Sequence, residues 1–178
     1  MKIITALLFL LVSFSPIAEK KITKTGTITF EASVPSFEEV KAKNETVTCI
    51  LNTENGEIAA LALMKGFRFK VALMEEHFNE NYIESSKYPK ATFKGKIENF
   101  EISKLASTAK EYTIKGKLEL HGKTKDLNIK AKLKKNGESI NLVSDFIVNV
   151  DDFDIKIPNV VSKKLSKQVN ITLDFNLK

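Results

Sequence analysis

From Thr25 to the C-terminus the chain repeats one arrangement, apolar and polar residues taking turns, and this period of two restricts its fold more than any other feature. Ile28, Phe30 and Ala32 point one way while Thr27, Thr29 and Glu31 point the other. Val47, Cys49 and Leu51 alternate with Thr48 and Asn52, and Phe67, Phe69 and Val71 with Arg68 and Lys70. The second half is plainer. Ala91, Phe93 and Ile97 oppose Thr92, Lys94, Lys96 and Glu98; Tyr112, Ile114, Leu118 and Leu120 oppose Thr113, Lys115, Lys117 and Glu119. Leu127 to Leu133, Ile140 to Val148 and Val169 to Leu177 repeat the theme. That makes about eight or nine strands, each with one wet face and one dry face. The dry faces need cover, and the chain has too little helix to supply it. Closing the sheet on itself covers them and removes exposed edges together. The expected fold is therefore all-β, a closed antiparallel eight-stranded barrel with one short helical segment.

That segment is Ala72 to Glu84, where Leu73-Met74, Phe78 and Tyr82-Ile83 fall at near-helical spacing and Pro89 follows closely. Asn55-Gly56 and Asn136-Gly137 read as tight hairpin turns, since both residue types tolerate positive φ. Ile58 to Met64 is apolar on both faces; it is either a covered strand or a short buried helix. Gly95 and Gly116 both fall on the inward phase, where glycine either lets a strand bend or leaves room for something inside. An eight-stranded barrel is wide enough to be filled by side chains or to hold one small ligand. Alternation alone leaves both readings open. Twelve Phe and no Trp favour a greasy interior of either kind, because Phe needs no hydrogen-bond partner.

The first 18 residues stand apart. A short positive start (Met1-Lys2) precedes an uncharged apolar run from Ile3 to Val12 and small residues up to Ala18, the layout of a secretory signal peptide cut after Ala18. The alternative, an uncleaved anchor, wants ~20 apolar residues, and this run is shorter. The mature chain, residues 19–178, is expected to be one domain, exported to a periplasm or the medium. Cys49, the single cysteine, rules out an internal disulfide and sits in phase with Val47 and Leu51 as a small buried hydrophobe. The net charge of +6 reads as spread along the chain, with lysines on the wet side of strand after strand. No basic stripe with interleaved exposed aromatics marks a nucleic-acid binder, so nucleic acid is not expected as a partner. A transient attraction to anionic membrane surfaces is compatible with the charge.

Catalytic signatures are lacking in the sequence. There is no HExxH, no paired Cys, no Gly-x-Ser-x-Gly elbow and no glycine-rich phosphate loop. His77 has Glu76 and Glu80 nearby, but a metal site wants at least three ligands at recognisable spacing, so a surface or capping role fits it better. His121 precedes Gly122 in what reads as a turn. Asp151, Asp152 and Asp154 form an acidic corner without EF-hand spacing. Asn44 and Asn170 begin glycosylation sequons. No catalytic residue, metal or cofactor is expected, and the protein is read as a binder and not an enzyme.

Three segments carry a resemblance. Met74-Glu75-Glu76-His77-Phe78, with Ser86-Lys87-Tyr88-Pro89 leading into Phe93-Lys94-Gly95, is the first; Leu118-Glu119-Leu120-His121-Gly122-Lys123 is the second; Val150-Asp151-Asp152-Phe153-Asp154-Ile155 is the third. Together they resemble the YceI-like, polyisoprenoid-binding family, over roughly Thr25 to Lys178. Three details depart from its pattern: Glu76-His77-Phe78-Asn79-Glu80 replaces a more Asp- and Phe-rich run, Asp154 stands where glycine is common, and the early strands read shorter than in long members. The resemblance implies an exported, lipocalin-like barrel holding a polyisoprenoid or another fatty amphiphile in its interior. The inward phase then nominates Phe30, Phe67, Phe69, Phe93, Ile97, Ile114, Leu118, Phe146 and Val148 as the tube, with Leu73, Met74, Phe78 and Tyr82 as its roof or gate. The alternative is a solid structural or stress-related interaction barrel with no lipid. The oligomeric state is left open, a dimer included.

Overall fold

The alternating segments form strands close to where their polarity sets them in the computed structural model, which describes residues 19–178. The expected signal segment lies outside the described residues. The strands are β1 (Lys20–Ser33), β2 (Lys41–Asn52), β3 (Glu57–Leu63), β4 (Arg68–Phe69), β5 (Lys90–Ile97), β6 (Lys110–Leu120), β7 (Lys123–Asn136), β8 (Ser139–Asn149) and β9 (Leu165–Leu177). One helix, α1 (Ala72–His77), continues into a wider turn over Phe78–Tyr82, within the span expected to be helical. The sheet runs β1-β9-β8-β7-β6-β5-β3-β2, and β2 pairs again with β1, so eight antiparallel strands close into a barrel. β4 is a two-residue addition paired with Ala42 and Lys43 of β2.

The segment apolar on both faces proves to be strand β3. Ile58 and Ala62 are buried inside, whereas Leu61 and Leu63 on the outer face are exposed. After Leu63 the wall breaks in a single tight turn, Met64–Gly66, before β4 resumes pairing with β2. Asn44 holds this break. Fully buried, it donates from Nδ2 to the Leu63 carbonyl at 3.0 Å, and its Oδ1 accepts from the Thr46 N–H and Oγ1, both at 2.9 Å. Burial also closes its sequon in the folded protein, while Asn170 remains exposed. Asn44→Ala is expected to cost about 2 kcal/mol by orphaning these buried groups. At this domain size that is a fall of roughly 4–8 °C in thermal midpoint, readable by scanning calorimetry.

The turns differ in detail from their sequence reading. The β2–β3 connection takes four residues, and only Gly56 adopts positive φ (74°), with the Asn52 and Asn55 side chains accepting from the backbone N–H groups of Glu54 and Glu57. The β7–β8 turn centres one residue later than expected, on Gly137-Glu138, because Asn136 still pairs with Ser139. His121 and Gly122 make the two-residue β6–β7 turn with φ of 50° and 71°, the primed geometry that suits strand twist.

One end of the barrel is packed solid. Leu51, Ile97, Leu133 and Leu177 are each no more than 1% exposed there. The β5–β6 connection folds beneath them, burying Phe100 and Leu105, and the Lys135 N–H donates to the Ala106 carbonyl at 2.7 Å. Neither Phe100 nor Leu105 belongs to an alternating run. Cys49 is fully buried as its phase implies, and desolvation pushes its thiol up to about 12, leaving no thiolate at neutral pH.

Candidate functional site: a blind apolar cavity

Above the packed base the barrel is hollow. A cavity of about 380 Å³ rests on Ile58, Ile114, Ile129, Leu142 and Phe175 and rises toward the end that carries α1. Eleven of the thirteen nominated residues line it: Phe30, Phe67, Phe69, Met74, Phe78, Tyr82, Phe93, Ile114, Leu118, Phe146 and Val148. Two do not. Ile97 is sealed in the base beneath the floor, four positions further down β5 than Phe93, the last residue of that strand to reach the hollow. Leu73 is 56% exposed, because the first turn of α1 presents Met74 inward and turns its predecessor to solvent.

The room comes from alanines. Ala60 and Ala62 of β3 and Ala91 of β5 face the cavity, with Ala62 directly opposite Ala91 in the ladder. The two inward glycines, read as allowing a bend or leaving room, sit under a ring. Gly95 and Gly116 are paired across β5 and β6, and a Cβ built on Gly116 would lie 2.5 Å from both Phe93 Cζ and the Lys94 carbonyl oxygen. Their missing side chains admit the Phe93 ring and a close backbone approach. Other lining residues escaped the sequence reading. Phe37, Ile157 and Val161 lie in irregular connections where no period marks them.

One wall is an aromatic cluster. Phe30 packs against Phe67, Phe69 and Phe78 at centroid separations of 5.3, 5.6 and 5.3 Å, tilted or edge-on. Phe78 thus anchors the helical segment into the barrel. Glu75 ties down its outer side, bonding Arg68 Nη1 at 2.7 Å and accepting from the Phe69 N–H at 3.2 Å. Polar side chains lining the cavity are confined to the mouth, where Glu38, His77, Lys164 and Ser166 stand with Tyr82. Burial holds the Tyr82 hydroxyl above the usual phenol range, so it remains a neutral group.

The three segments that carry the family resemblance converge on a clasp beside the mouth. His121 Nδ1 lies 2.9 Å from the Phe153 carbonyl oxygen and Nε2 lies 2.9 Å from Glu84 Oε2, while the Tyr88 ring meets the imidazole edge-on at 4.5 Å. His121 therefore does more than occupy a turn; it joins the β6–β7 hairpin, the segment after α1 and the β8–β9 connection. Asp154 occupies left-handed backbone (φ 54°), a conformation that glycine adopts with least strain, and the Lys123 ammonium at 2.8 Å holds its carboxyl below the usual range. Asp151 pairs with Lys167 at 2.8 Å, so two of the three acids in this corner are neutralised by lysines. Among the described residues no three His, Cys, Asp or Glu side chains are grouped to hold a metal ion.

A closed antiparallel barrel with an apolar one-ended cavity defines the class as a hollow barrel. The YceI-like domain model matches residues 19–177, and the chain belongs to that family. Solved structures share the fold at low identity. A polyisoprenoid binding domain from Saccharophagus degradans implicated in plant cell wall breakdown superposes with a TM-score of 0.78 at 12% identity, covering 89% of this chain and 97% of that one. Burkholderia cenocepacia BcnA gives 0.70 at 12% identity, covering 85% and 96%. The Campylobacter jejuni YCEI protein gives 0.53 at 14% identity, covering 100% and 94%. No curated protein matches the chain in sequence.

Proposed function

We propose that the protein is an exported lipid-binding module that takes the apolar tail of an isoprenoid or fatty amphiphile into its barrel and leaves the polar end at the mouth. The observation that carries this reading is the cavity itself, hydrocarbon on floor and walls with polar groups only at the rim. The family membership and the polyisoprenoid binding domain from Saccharophagus degradans support it. At roughly 30 Å³ per non-hydrogen atom, the share of a liquid water, the cavity takes about 13 atoms. That is two to three isoprene units, so a longer polyisoprenoid keeps most of its length outside. Ten buried CH₂-sized units give on the order of 8 kcal/mol gross. Taken whole that would be about micromolar, and the ordering costs of association, about 4 kcal/mol or more, leave the tail alone nearer millimolar. The chemistry of this reading is binding.

Solvent extraction and native mass spectrometry of protein purified without detergent test the reading. A co-purifying hydrophobic mass is expected, together with saturable binding of prenyl alcohols whose affinity stops rising beyond about 15 carbons. Clean apo protein that takes up neither prenyl nor fatty-acyl probes would sink it, and would favour an interaction barrel without a lipid. Export is tested separately: the mature N-terminus is expected near Glu19, and a retained Met1 in the fractionated protein would refute it.

A further inference from the structure

Along the linear chain the positive charge reads as dispersed, but the sheet gathers it. Strands β5, β6 and β7 are consecutive neighbours and hold twelve lysines against three acidic residues, a net +9 in a chain whose total is only +6. The outward positions form a field of six: Lys94 and Lys96 on β5, Lys115 and Lys117 on β6, Lys130 and Lys132 on β7. Lys94 lies directly opposite Lys117, and Lys96 directly opposite Lys115. Like charges in that relation destabilise a sheet. The nearby acids relieve only half of the field: Glu98 pairs with Lys115 at 2.6 Å, Asp126 with Lys117 at 2.8 Å, and Glu111 with Lys130 at 3.6 Å. Glu57 and Glu111 stand opposite Lys96 and Lys132 in the ladder, yet Lys94, Lys96 and Lys132 enter none of the ion pairs among the described residues. A wall that only needed to be wet would gain by mixing signs, so an anion is the missing partner.

We propose that this wall is a docking face for an anionic phospholipid membrane, on which the barrel lies on its side. Three observations favour lipid over nucleic acid. No aromatic side chain stands on the outer face of these strands to stack a base; Phe93 and Tyr112, their only aromatics, point inward. Arg68 is the chain's only arginine, so phosphate would be met by point charges and not by the bidentate forks used in specific recognition. Along the edge of the field, on β3, Leu61 and Leu63 are 37% and 53% exposed beside Thr92 and Lys90 of β5. Exposed leucines beside lysines match an interface of acyl chains and anionic headgroups.

Each lysine brought near an anionic leaflet is worth about fivefold in partitioning. Sedimentation with vesicles of phosphatidylcholine containing about one third phosphatidylglycerol is the test, comparing Lys94→Gln/Lys96→Gln/Lys117→Gln with Lys24→Gln/Lys41→Gln/Lys43→Gln. The second set removes equal charge from β1 and β2, across the barrel. The face variant is expected to lose at least tenfold in partitioning and the control less than threefold, with binding absent on pure phosphatidylcholine and released by about 0.5 M salt. Lys96→Gln/Lys115→Gln, which relieves one opposed pair, gives a second reading at an expected loss of at least fivefold. Equal losses in face and control variants, or indifference to lipid charge, would overturn the proposal, as would tighter binding of single-stranded DNA than of the vesicles. Docking is read by sedimentation and tail binding by probe titration, so the two proposals fail independently.

Discussion

Ala60→Phe combined with Ala91→Phe is expected to lower affinity for prenyl and fatty-acyl probes at least a hundredfold while leaving the thermal midpoint within a few degrees of the parent. Both alanines face the hollow, and they are not opposite each other in the ladder, so the new rings have separate space. Two phenyl groups add about twelve carbons, close to the roughly 13 atoms the cavity accommodates. The tail would then have to displace packed side chains instead of entering empty space. Stability has opposing contributions, since filling a void returns lost packing while any excess volume costs about 1–3 kcal/mol. Fluorescent-probe titration alongside differential scanning calorimetry reads both. Affinity unchanged in a folded double variant would mean that the tail lies elsewhere.

Gly116→Leu carries the largest expected loss of stability, at least about 3 kcal/mol, or roughly 6–12 °C in midpoint. The cause is backbone as well as side chain. A Cβ at this position meets the Phe93 ring at 2.5 Å, the Lys94 carbonyl at 2.5 Å and Gly95 Cα at 2.7 Å. Phe93→Ala introduced with it is expected to recover only part of the loss, because the carbonyl stays where it is. Gly137→Ala supplies the contrast: nothing lies within 4 Å, and only its positive φ of 62° resists, so its cost stays near 1 kcal/mol. Urea unfolding of the three variants orders these costs. Equal midpoints for Gly116→Leu and Gly137→Ala would contradict the packing described here.

The barrel was legible because each of its long strands has one solvated face. Lys94, Lys96, Lys115 and Lys117 on the outside make Phe93, Ile114 and Leu118 readable as inside. Where the outer face is itself apolar, as at Leu61 and Leu63, the period vanishes and strand and helix become indistinguishable from sequence. Strand phase placed Phe30, Phe93, Leu118 and Phe146 on the lining, and helical spacing placed Met74 and Phe78 there, yet phase says nothing about depth. Ile97 shares its phase with Phe93 and differs only in lying nearer the base. Hollowness was not legible at all, because it depends on which small residues meet across the interior. Gly95 and Gly116 attracted notice for their type, whereas Ala60, Ala62 and Ala91 make the space. The His121 clasp depends on segments more than thirty residues apart and leaves no local mark. The lysine field was hidden for the opposite reason: each strand taken singly carries an ordinary number of lysines, and only their adjacency makes a patch.

Phe100 and Leu105, tucked under the base, make this a vessel with a bottom. On the proposed function, cargo could not pass through it; whatever slid in would have to back out along the same path, tail first on arrival and head first on departure. The orientation of such a guest would be set by the container, with no specific contact to the tail required. A donor and an acceptor would have to visit the same rim in turn, so loading and delivery exclude one another in time.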